Sequence, residues 1–526
     1  MDESKVSYAR TEALELDLTS VLPHSDRPWF RQPHLLKLNL LLAVPLLSGA
    51  ALGFDASMMN GLQALDNWVT YFDHPSSSLL GLLNAISTIG ATISCFYVST
   101  LSDRFGRKPA LFLGVVVMIG ASITQAACRN LTTFIVSRFF VGLGMSSAFI
   151  PAPVLITETA YPTHRGKMAN LTFTIFYLGS IAASWTTFAT YRALPDSTWS
   201  WRIPSLLQGF FPVIQLCGIY FVPESPRWLL AKGRATEARA LLVKYHAGGD
   251  TTSLLVDHEM SEMATHIEQE QRHTALGVSS LWKTKADRRI FIIITFIGVF
   301  CNWAGNALVS YYLSLVLDSV GIKSSGTKTL INGILQVFNG LCSTLGALTS
   351  DKVGRRTLWI AGCCGMLATY IPWTVCSALN LESGNKGAGY GVVALIFVFY
   401  FFYDISVSPM TFGYPAEILP YHNRQKGISW VVLLSNLSLM FNLFVNPIAL
   451  EDIKWRYYIV YCVILACSVV FVYFRLPETG TLSLEHISAV FEGDFRPWRK
   501  VTRYVQEEEG PDRGKSTQSP VVEHVE

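Results

Sequence analysis

Apolar segments of spanning length dominate the chain. A helix needs about 20 apolar residues to cross roughly 30 Å of hydrocarbon. The pattern predicts an all-α membrane protein with twelve transmembrane helices. The predicted spans are 36–61, 79–101, 110–128, 133–157, 168–190 and 203–222, followed by 290–316, 328–350, 357–379, 388–414, 428–449 and 456–475.

Polar sequence lies at the two ends and in one central stretch. We expect a cytoplasmic N-terminal tail over 1–35, a six-helix bundle over 36–222, a cytoplasmic linker over 223–289, a second bundle over 290–475 and a cytoplasmic tail over 476–526. In the linker, apolar residues recur at helical spacing, and a second stretch begins at Arg234. This pattern favours a small helical module over a flexible linker. The apolar stripe is Val256, Met260, Met263 and Ile267.

Composition narrows the class of protein. Of the 526 residues, 50% are hydrophobic and 15% are charged, against about 25% charged in ordinary soluble domains. This balance excludes a soluble enzyme. The net charge of +3 is too small to indicate a nucleic-acid partner. The ten cysteines have no zinc-type spacing, and the chain has no phosphate-binding glycine motif, so we expect no metal, no cofactor and no ATP-driven transport.

Lysine and arginine in the short loops set the orientation. They follow the second, fourth, eighth and tenth predicted spans, whereas the segment 63–78 has none. We therefore expect both termini in the cytoplasm. Asn130 begins an Asn-Leu-Thr sequon on the outer face and is a weak candidate for glycosylation, because it lies close to a helix end.

Three short motifs occur twice at nearly the same offset. Asp103-Arg-Phe-Gly-Arg-Lys recurs as Asp351-Lys-Val-Gly-Arg-Arg, and Pro223-Glu-Ser-Pro recurs as Pro477-Glu-Thr-Gly. The Arg165-Gly-Lys loop has its counterpart in Arg424-Gln-Lys-Gly. The repeat predicts one six-helix unit used twice. Such halves form alternating-access transporters with a binding site between them near mid-membrane.

The repeated loops also predict a cytoplasmic gate. The glycines permit tight turns, and the arginines can pair with carboxylates at neighbouring helix ends to form a latch. The alternative is that these are only positive-inside charges. The predicted gate residues are Asp103, Arg104, Gly106, Arg107, Glu158, Arg165, Glu224, Arg227, Asp351, Gly354, Arg355, Glu417, Arg424 and Glu478.

These motifs, together with Arg138-Phe-Phe-Val-Gly-Leu-Gly and the continuation of Pro223-Glu-Ser-Pro into Arg-Trp-Leu, carry a family resemblance. The chain resembles the sugar porter family of the major facilitator superfamily over nearly its whole length. The resemblance implies the two-bundle fold of that superfamily. Within the family it looks most like the fungal lactose permease branch. The segments behind that likeness begin at Gly305, Tyr414 and Phe444, with Trp455 following the last.

A charged side chain inside the membrane needs a partner of opposite charge or a functional role. Asp55 lies in the first predicted span, and Arg138 lies in the fourth. This arrangement resembles the aspartate–arginine pair of proton-coupled sugar porters, which implies proton coupling; the alternative is an ion pair that only fixes packing. Asp404 in the tenth span has three open readings: a sugar contact, a coupling group or a polar contact between helices.

Amides and aromatic rings suit a hydroxyl-rich ligand. Each amide is equally suited to joining helices. This chain departs from the family pattern at several positions. It has Cys301-Asn302 in place of a glutamine pair, Phe412 in place of a tryptophan, and Phe173 and Ser180 in place of glutamines. These differences argue against a simple glucose site. The candidate substrate residues are Asn302, Asn306, Tyr311, Asn339, Asp404, Phe412 and Asn436.

Together these features predict a plasma-membrane transporter that takes up a disaccharide such as lactose or cellobiose, or a hexose, with protons as the coupling ion. We expect a monomer in the lipid bilayer. The alternatives are a passive sugar uniporter, a sugar sensor that does not transport, and an exporter of a small metabolite on the same fold.

Overall fold

The computed structural model describes residues 22–23, 28–273, 281–420, 423–479 and 491. The regular elements of these residues are helices, and ten helices are long and apolar enough to cross a membrane. This confirms the predicted all-α membrane fold. Most of the predicted N-terminal tail, and nearly all of the C-terminal tail, lies outside the described residues.

Six spans form the first half of the molecule. Span 6 consists of two nine-residue helices that meet at Gln208–Gly209, and span 4 continues through a second short helix. The bounds are Pro33–Gln63 for span 1, Ser77–Phe105 for span 2, Arg107–Ala127 for span 3, Leu131–Phe149 and Pro151–Thr159 for span 4, Arg165–Ala193 for span 5, and Trp199–Leu207 and Phe210–Gly218 for span 6. A short helix, Asp66–Tyr71, separates spans 1 and 2.

Six further spans form the second half, and span 7 is also broken. The bounds are Lys285–Trp303 and Asn306–Ser319 for span 7, Ser325–Val353 for span 8, Arg355–Ser383 for span 9, Lys386–Ile418 for span 10, Arg424–Asp452 for span 11 and Tyr457–Arg475 for span 12. The linker contributes the helices Pro226–Ala231, Ala235–Tyr245 and Leu254–His273. The seventh span thus begins five residues earlier than the apolar run suggested.

Spans 5 and 6 are the two that fall outside the set of ten candidate membrane helices. Span 5 is long enough, but it carries polar residues on its buried side, including Thr172, Ser184 and Thr187. Span 6 is divided at Gln208–Gly209 into two helices, each too short to span the membrane. With these two helices counted, each half of the molecule has the predicted six spans.

Within each half the spans pack against their own neighbours. Span 1 packs along span 5, span 4 packs on spans 2 and 3, span 9 packs on spans 10 and 12, and span 7 packs on span 11. Among the described residues, the most extensive contacts between the halves join span 2 with span 11, span 5 with span 8, and span 1 with span 7. A central region bordered by spans of both halves is where a shared binding site belongs.

Hydrogen bonds close the two halves against each other at one end. We call the end of the bundle that carries the linker the linker face, and the opposite end the distal face. Asn60 donates to Asn332 Oδ1 at 3.2 Å, Gln63 donates to the Tyr311 carbonyl at 3.3 Å, and Ser325 donates to a carboxylate oxygen of Asp66 at 2.8 Å. All three cross between the halves, so the structure is closed at its distal face.

Candidate functional site

The buried charged centre of the first half consists of Asp55, Arg138 and Gln208. Asp55 on span 1 and Arg138 on span 4 form an ion pair, and both are almost fully buried. Gln208 donates from Nε2 to Asp55 Oδ1 at 2.6 Å from the break in span 6. The pair predicted from the sequence is therefore present, and Gln208 is an additional partner. A glutamine beside a glycine within an apolar run was the available signal for it.

The remaining donors of Arg138 also find partners on the first half. Its Nη2 donates to Ser87 Oγ at 3.1 Å, and its Nε points to the Leu83 carbonyl at 3.5 Å. These hydrogen-bond partners of Asp55 and Arg138 lie on spans 1, 2, 4 and 6, which all belong to the first half.

The break in span 7 exposes backbone carbonyls inside the membrane region. Gly305 sits at the break with φ +101°, in the left-handed region. Tyr403 donates to the Cys301 carbonyl at 2.8 Å, and Asn442 donates to the Asn302 carbonyl at 2.7 Å. Tyr400 donates to the Asn306 carbonyl at 2.9 Å. Side chains of spans 10 and 11 thus replace the helical partners that the break removes.

The two amide side chains of span 7 that we predicted to contact substrate form hydrogen bonds with neighbouring spans. Asn302 donates to the carbonyl and the hydroxyl of Ser435, both at 2.9 Å. Asn306 donates to Tyr403 Oη at 2.8 Å, while its own Oδ1 is buried without a partner among the described residues. Asn306 therefore retains an acceptor for a ligand, whereas Asn302 is mainly structural in this conformation.

The other predicted substrate residues are distributed over both sides of the central region. Asn339 on span 8 is buried, and its Oδ1 has no partner within the described part of the chain. Asn436 on span 11 lies 3.8 Å from Cys95 Sγ of span 2, across the interface between the halves. Tyr311 lies on span 7, where its carbonyl takes part in the distal closure. Phe412 belongs to span 10, but its side chain lies outside the described residues.

Asp404 contacts the opposite half of the molecule. It is 1% exposed, and Tyr177 of span 5 donates to its Oδ1 at 2.8 Å. Tyr177 Oη also lies 3.2 Å from Ser408 Oγ, one turn further along span 10. Sequence reasoning missed Tyr177, because a tyrosine in an apolar span gives no sign of its partner.

A second polar cluster that the sequence did not indicate lies on the distal side of the central region. Asn332 of span 8 donates to Ser184 Oγ of span 5 at 3.1 Å and accepts from Asn60 of span 1. Ser184 in turn lies 2.6 Å from Ser57 Oγ. These small polar side chains join both halves next to the candidate cavity.

At the linker face of the first half, a carboxylate caps span 3. Glu224 accepts from the backbone N–H groups of Arg107 at 3.1 Å and Lys108 at 3.2 Å. The Arg107 guanidinium binds both carboxylate oxygens of Glu158, at 3.1 and 3.3 Å, and also Asp103 at 3.1 Å. Burial raises the pKa of Glu224, and its hydrogen bonds from backbone N–H groups oppose that rise.

The second half repeats this arrangement. Glu478 accepts from the backbone N–H groups of Arg355 at 2.8 Å and Arg356 at 3.1 Å. The Arg355 guanidinium donates to Glu417 Oε1 at 3.1 Å. Gly106 and Gly354 both have positive φ at the equivalent turns. The repeat seen in the sequence is therefore also a repeat in three dimensions.

The comparisons with known proteins decide the family. The family model described as "Sugar (and other) transporter" matches residues 41–491, which is most of the chain. The chain belongs to the sugar transporter family of the major facilitator superfamily. It is a multi-pass membrane transporter and not an enzyme.

Several curated relatives of this sugar transporter are fungal. It is 27% identical over 485 residues to high-affinity glucose transporter 1 of Candida albicans, covering 89% of this chain and 88% of that one. It is 25% identical to the low-affinity glucose transporter HXT1 of Saccharomyces cerevisiae, covering 86% and 81%. It is also 26% identical to the MFS-type transporter criB of Aspergillus cristatus, covering 85% and 91%.

Solved structures share the fold of this sugar transporter. The inward-open conformation of the xylose transporter XylE from E. coli matches with a TM-score of 0.70 and 22% identity, over 86% of this chain and 99% of that one. A partially occluded inward-open conformation of the same protein matches with a TM-score of 0.68 and 20% identity, over 83% and 98%.

Other predicted gate residues of this sugar transporter lie near these ion pairs along the chain. The Arg107–Asp103, Arg107–Glu158 and Arg355–Glu417 pairs each join helices of the same half, so these pairs stabilise each half. Arg104 is exposed and lies over the Phe105 ring at 5.4 Å. Arg227 lies on the first linker helix and Arg424 begins span 11, while the Asp351 side chain lies outside the described residues. The roles of these residues in a gate stay predictions.

Arg165 pairs with the linker rather than with a span. It donates to Glu259 Oε1 at 2.6 Å, and the other oxygen of Glu259 lies 2.7 Å from His246 Nδ1. His246 Nε2 lies 3.1 Å from the Thr159 carbonyl at the end of span 4. Glu259 and His246 are both buried, so the linker helices are docked on the first half through a polar cluster.

Asn130 occupies the first position before span 4. Its Oδ1 accepts from the backbone N–H of Thr133 at 2.8 Å, as a helix cap. The residue is exposed, and its glycosylation remains a prediction.

We expect Gly305→Ala to destabilise the transporter. A left-handed conformation costs a non-glycine residue about 1–2 kcal/mol. In addition, a Cβ at this position would lie 2.6 Å from the Tyr370 ring. Thermal unfolding of the detergent-purified protein measures the loss. Gly120→Ala in span 3, which meets no atom within 4 Å, is the matched control and should not lower the melting temperature. Equal melting temperatures for the two variants would contradict the assigned strain.

We expect Glu224→Gln to destabilise the linker face by about 1–3 kcal/mol, because the amide has one acceptor oxygen for two backbone donors. Glu478→Gln should produce a similar loss in the second half. Glu237→Gln is the control, since Glu237 is exposed and pairs with Arg234 on the linker. Melting temperatures of the purified variants test this. Equal melting temperatures for Glu224→Gln and Glu237→Gln would contradict the capping role of Glu224.

Proposed function

We propose that this sugar transporter takes up a neutral sugar together with protons by alternating access. Support comes from the polar side chains where the two halves meet, the buried Asp55–Arg138 centre, and the names of the relatives. Both fungal relatives quoted above as glucose transporters match almost end to end. Solved structures of the same fold include that of the proton:xylose symporter XylE.

The unpartnered groups at the candidate cavity favour a hydroxyl-rich ligand. Asn306 Oδ1 and Asn339 Oδ1 are both acceptors without donors among the described residues. A ligand that supplies O–H donors satisfies them, and aromatic side chains of spans 7 and 10 offer faces for its C–H surfaces.

A hexose is the leading substrate, because the quoted glucose transporters cover nearly the whole chain. A disaccharide such as lactose or cellobiose is the second candidate, supported by the sequence likeness to the lactose permease branch and by Asn302 and Phe412 standing where the family pattern has glutamine and tryptophan. Uptake of labelled glucose, galactose, lactose and cellobiose in a transport-deficient yeast distinguishes them.

We further propose that the transporter lies in the plasma membrane, that both of its termini are in the cytoplasm, and that it is a monomer.

The Asp55 centre is the observation that carries proton coupling. A carboxylate buried with one arginine can exchange a proton when motion changes its hydration. A purely structural pair would fix packing without such exchange.

We expect Asp55→Asn to abolish uphill accumulation of sugar while sparing exchange of labelled for unlabelled sugar. The amide keeps the shape of the side chain but cannot take up a proton. Accumulation at external pH 5 and pH 7, together with counterflow in cells loaded with sugar, measures the two activities separately.

Asp196→Asn is the control for this experiment, because Asp196 is an exposed loop residue. It should retain both activities. Uphill accumulation that survives Asp55→Asn would overturn the coupling role of Asp55. Sugar that only equilibrates in the unmodified transporter would instead indicate a uniporter.

A further inference from the structure

Asp404 is a carboxyl group that the structure buries without a cation. Only one hydrogen bond reaches it, from Tyr177 Oη to Oδ1, and Oδ2 has no partner among the described residues. None of the described lysine, arginine or histidine side chains pairs with Asp404. Its environment is therefore the opposite of that of Asp55, which has a guanidinium and an amide around it.

The titratable groups that face Asp404 from spans 5, 8 and 10 are neutral. Tyr400 lies one turn before it and Tyr403 directly before it on span 10, Tyr177 comes from span 5, and Cys342 comes from span 8. Removing an ion from water without pairing costs several kcal/mol. The neutral carboxylic acid avoids that penalty, and with Tyr177 donating to Oδ1, the proton belongs on Oδ2.

The cover over Asp404 comes from the opposite half. Tyr177 belongs to span 5, and span 5 packs on span 8 at Gly340, where a Cβ would lie 3.2 Å from the Cβ of Tyr177. Rocking of the halves moves span 5 relative to spans 8 and 10. That motion removes the Tyr177 hydroxyl and admits water, which stabilises the ionised carboxylate.

The hydrogen-bond partners of Asp55 do not change in this way, although Tyr311 of span 7 lies near the ion pair from the second half. Arg138, Gln208 and Ser87 move with Asp55, because they belong to the same half. Rocking can alter the hydration of this centre but does not separate its members. A group whose neighbours differ between the two conformations is better suited to bind a proton in one and release it in the other.

We propose that Asp404 is a second proton-binding group of the transporter, protonated while Tyr177 covers it and deprotonated when the halves separate there. The step is the addition of a proton from water to one carboxylate oxygen, giving a neutral acid, and its reversal on the other side. The proposal rests on the proton-coupled function above and adds a proton site to it.

Infrared spectroscopy of the purified full-length protein near neutral pH tests the proton directly. Exposed aspartates and glutamates are ionised there, since their ordinary pKa values are about 4. We expect a protonated-carboxyl C=O band that Asp404→Asn removes and that Asp55→Asn retains. Tyr177→Phe should retain the band and move it to higher wavenumber, because the hydroxyl that donates to the same carboxyl is lost.

Transport by the reconstituted protein supplies the second measurement. We expect Asp404→Asn to lower the number of protons moved per sugar, read with a pH electrode alongside labelled sugar. The proposal is overturned when Asp404→Asn leaves the band unchanged, or when the proton-to-sugar ratio equals that of the unmodified protein. If the unmodified protein moves sugar without protons but shows the Asp404 band, the coupled function fails and the protonated state of Asp404 stands.

Discussion

Lipid offers no hydrogen bonds, so every polar backbone group that a broken membrane helix exposes must be satisfied inside the protein. The break in span 7 shows how strongly this constraint organises the second half. The carbonyls of Cys301 and Asn302 are freed at Gly305, and Tyr403 and Asn442 donate to them. Tyr400 donates to the carbonyl of Asn306, where the helix begins again. Spans 7, 10 and 11 are thereby held in one arrangement, which makes the half a rigid unit around its side of the cavity.

The same requirement recurs at the linker face, where helix starts leave backbone donors unpaired. Glu224 and Glu478 each fill that need by accepting two N–H groups. Strong polar contacts are thus concentrated within the halves, whereas the bonds that we identify between the halves are mostly single contacts between small polar groups. Rigid halves joined by replaceable contacts are the arrangement that rocking motion needs.

The sequence predicted the spans and the repeat, because a long apolar run and a doubled motif are strong local signs. It also placed Arg107 and Glu158 in one gate, and the family resemblance implied the pairing of Asp55 with Arg138. The sequence did not predict Gln208, Tyr177 or the pairing of Arg165 with Glu259. In those cases the two partners are far apart along the chain, and each residue has an ordinary alternative role. Only the packing of spans 5, 6 and 10, and of the linker helices, decides which alternative holds.

The amides illustrate why composition alone overstates a binding site. Asn302 and Asn306 both lie at the predicted place, yet their N–H donors are engaged by Ser435 and Tyr403. What Asn306 leaves for a ligand is an acceptor, and the same holds for Asn339 Oδ1. A site with spare acceptors selects for molecules rich in O–H donors and against molecules that only accept. Selectivity for sugars can therefore arise from the groups that the scaffold leaves unpaired, rather than from the number of polar residues near the cavity.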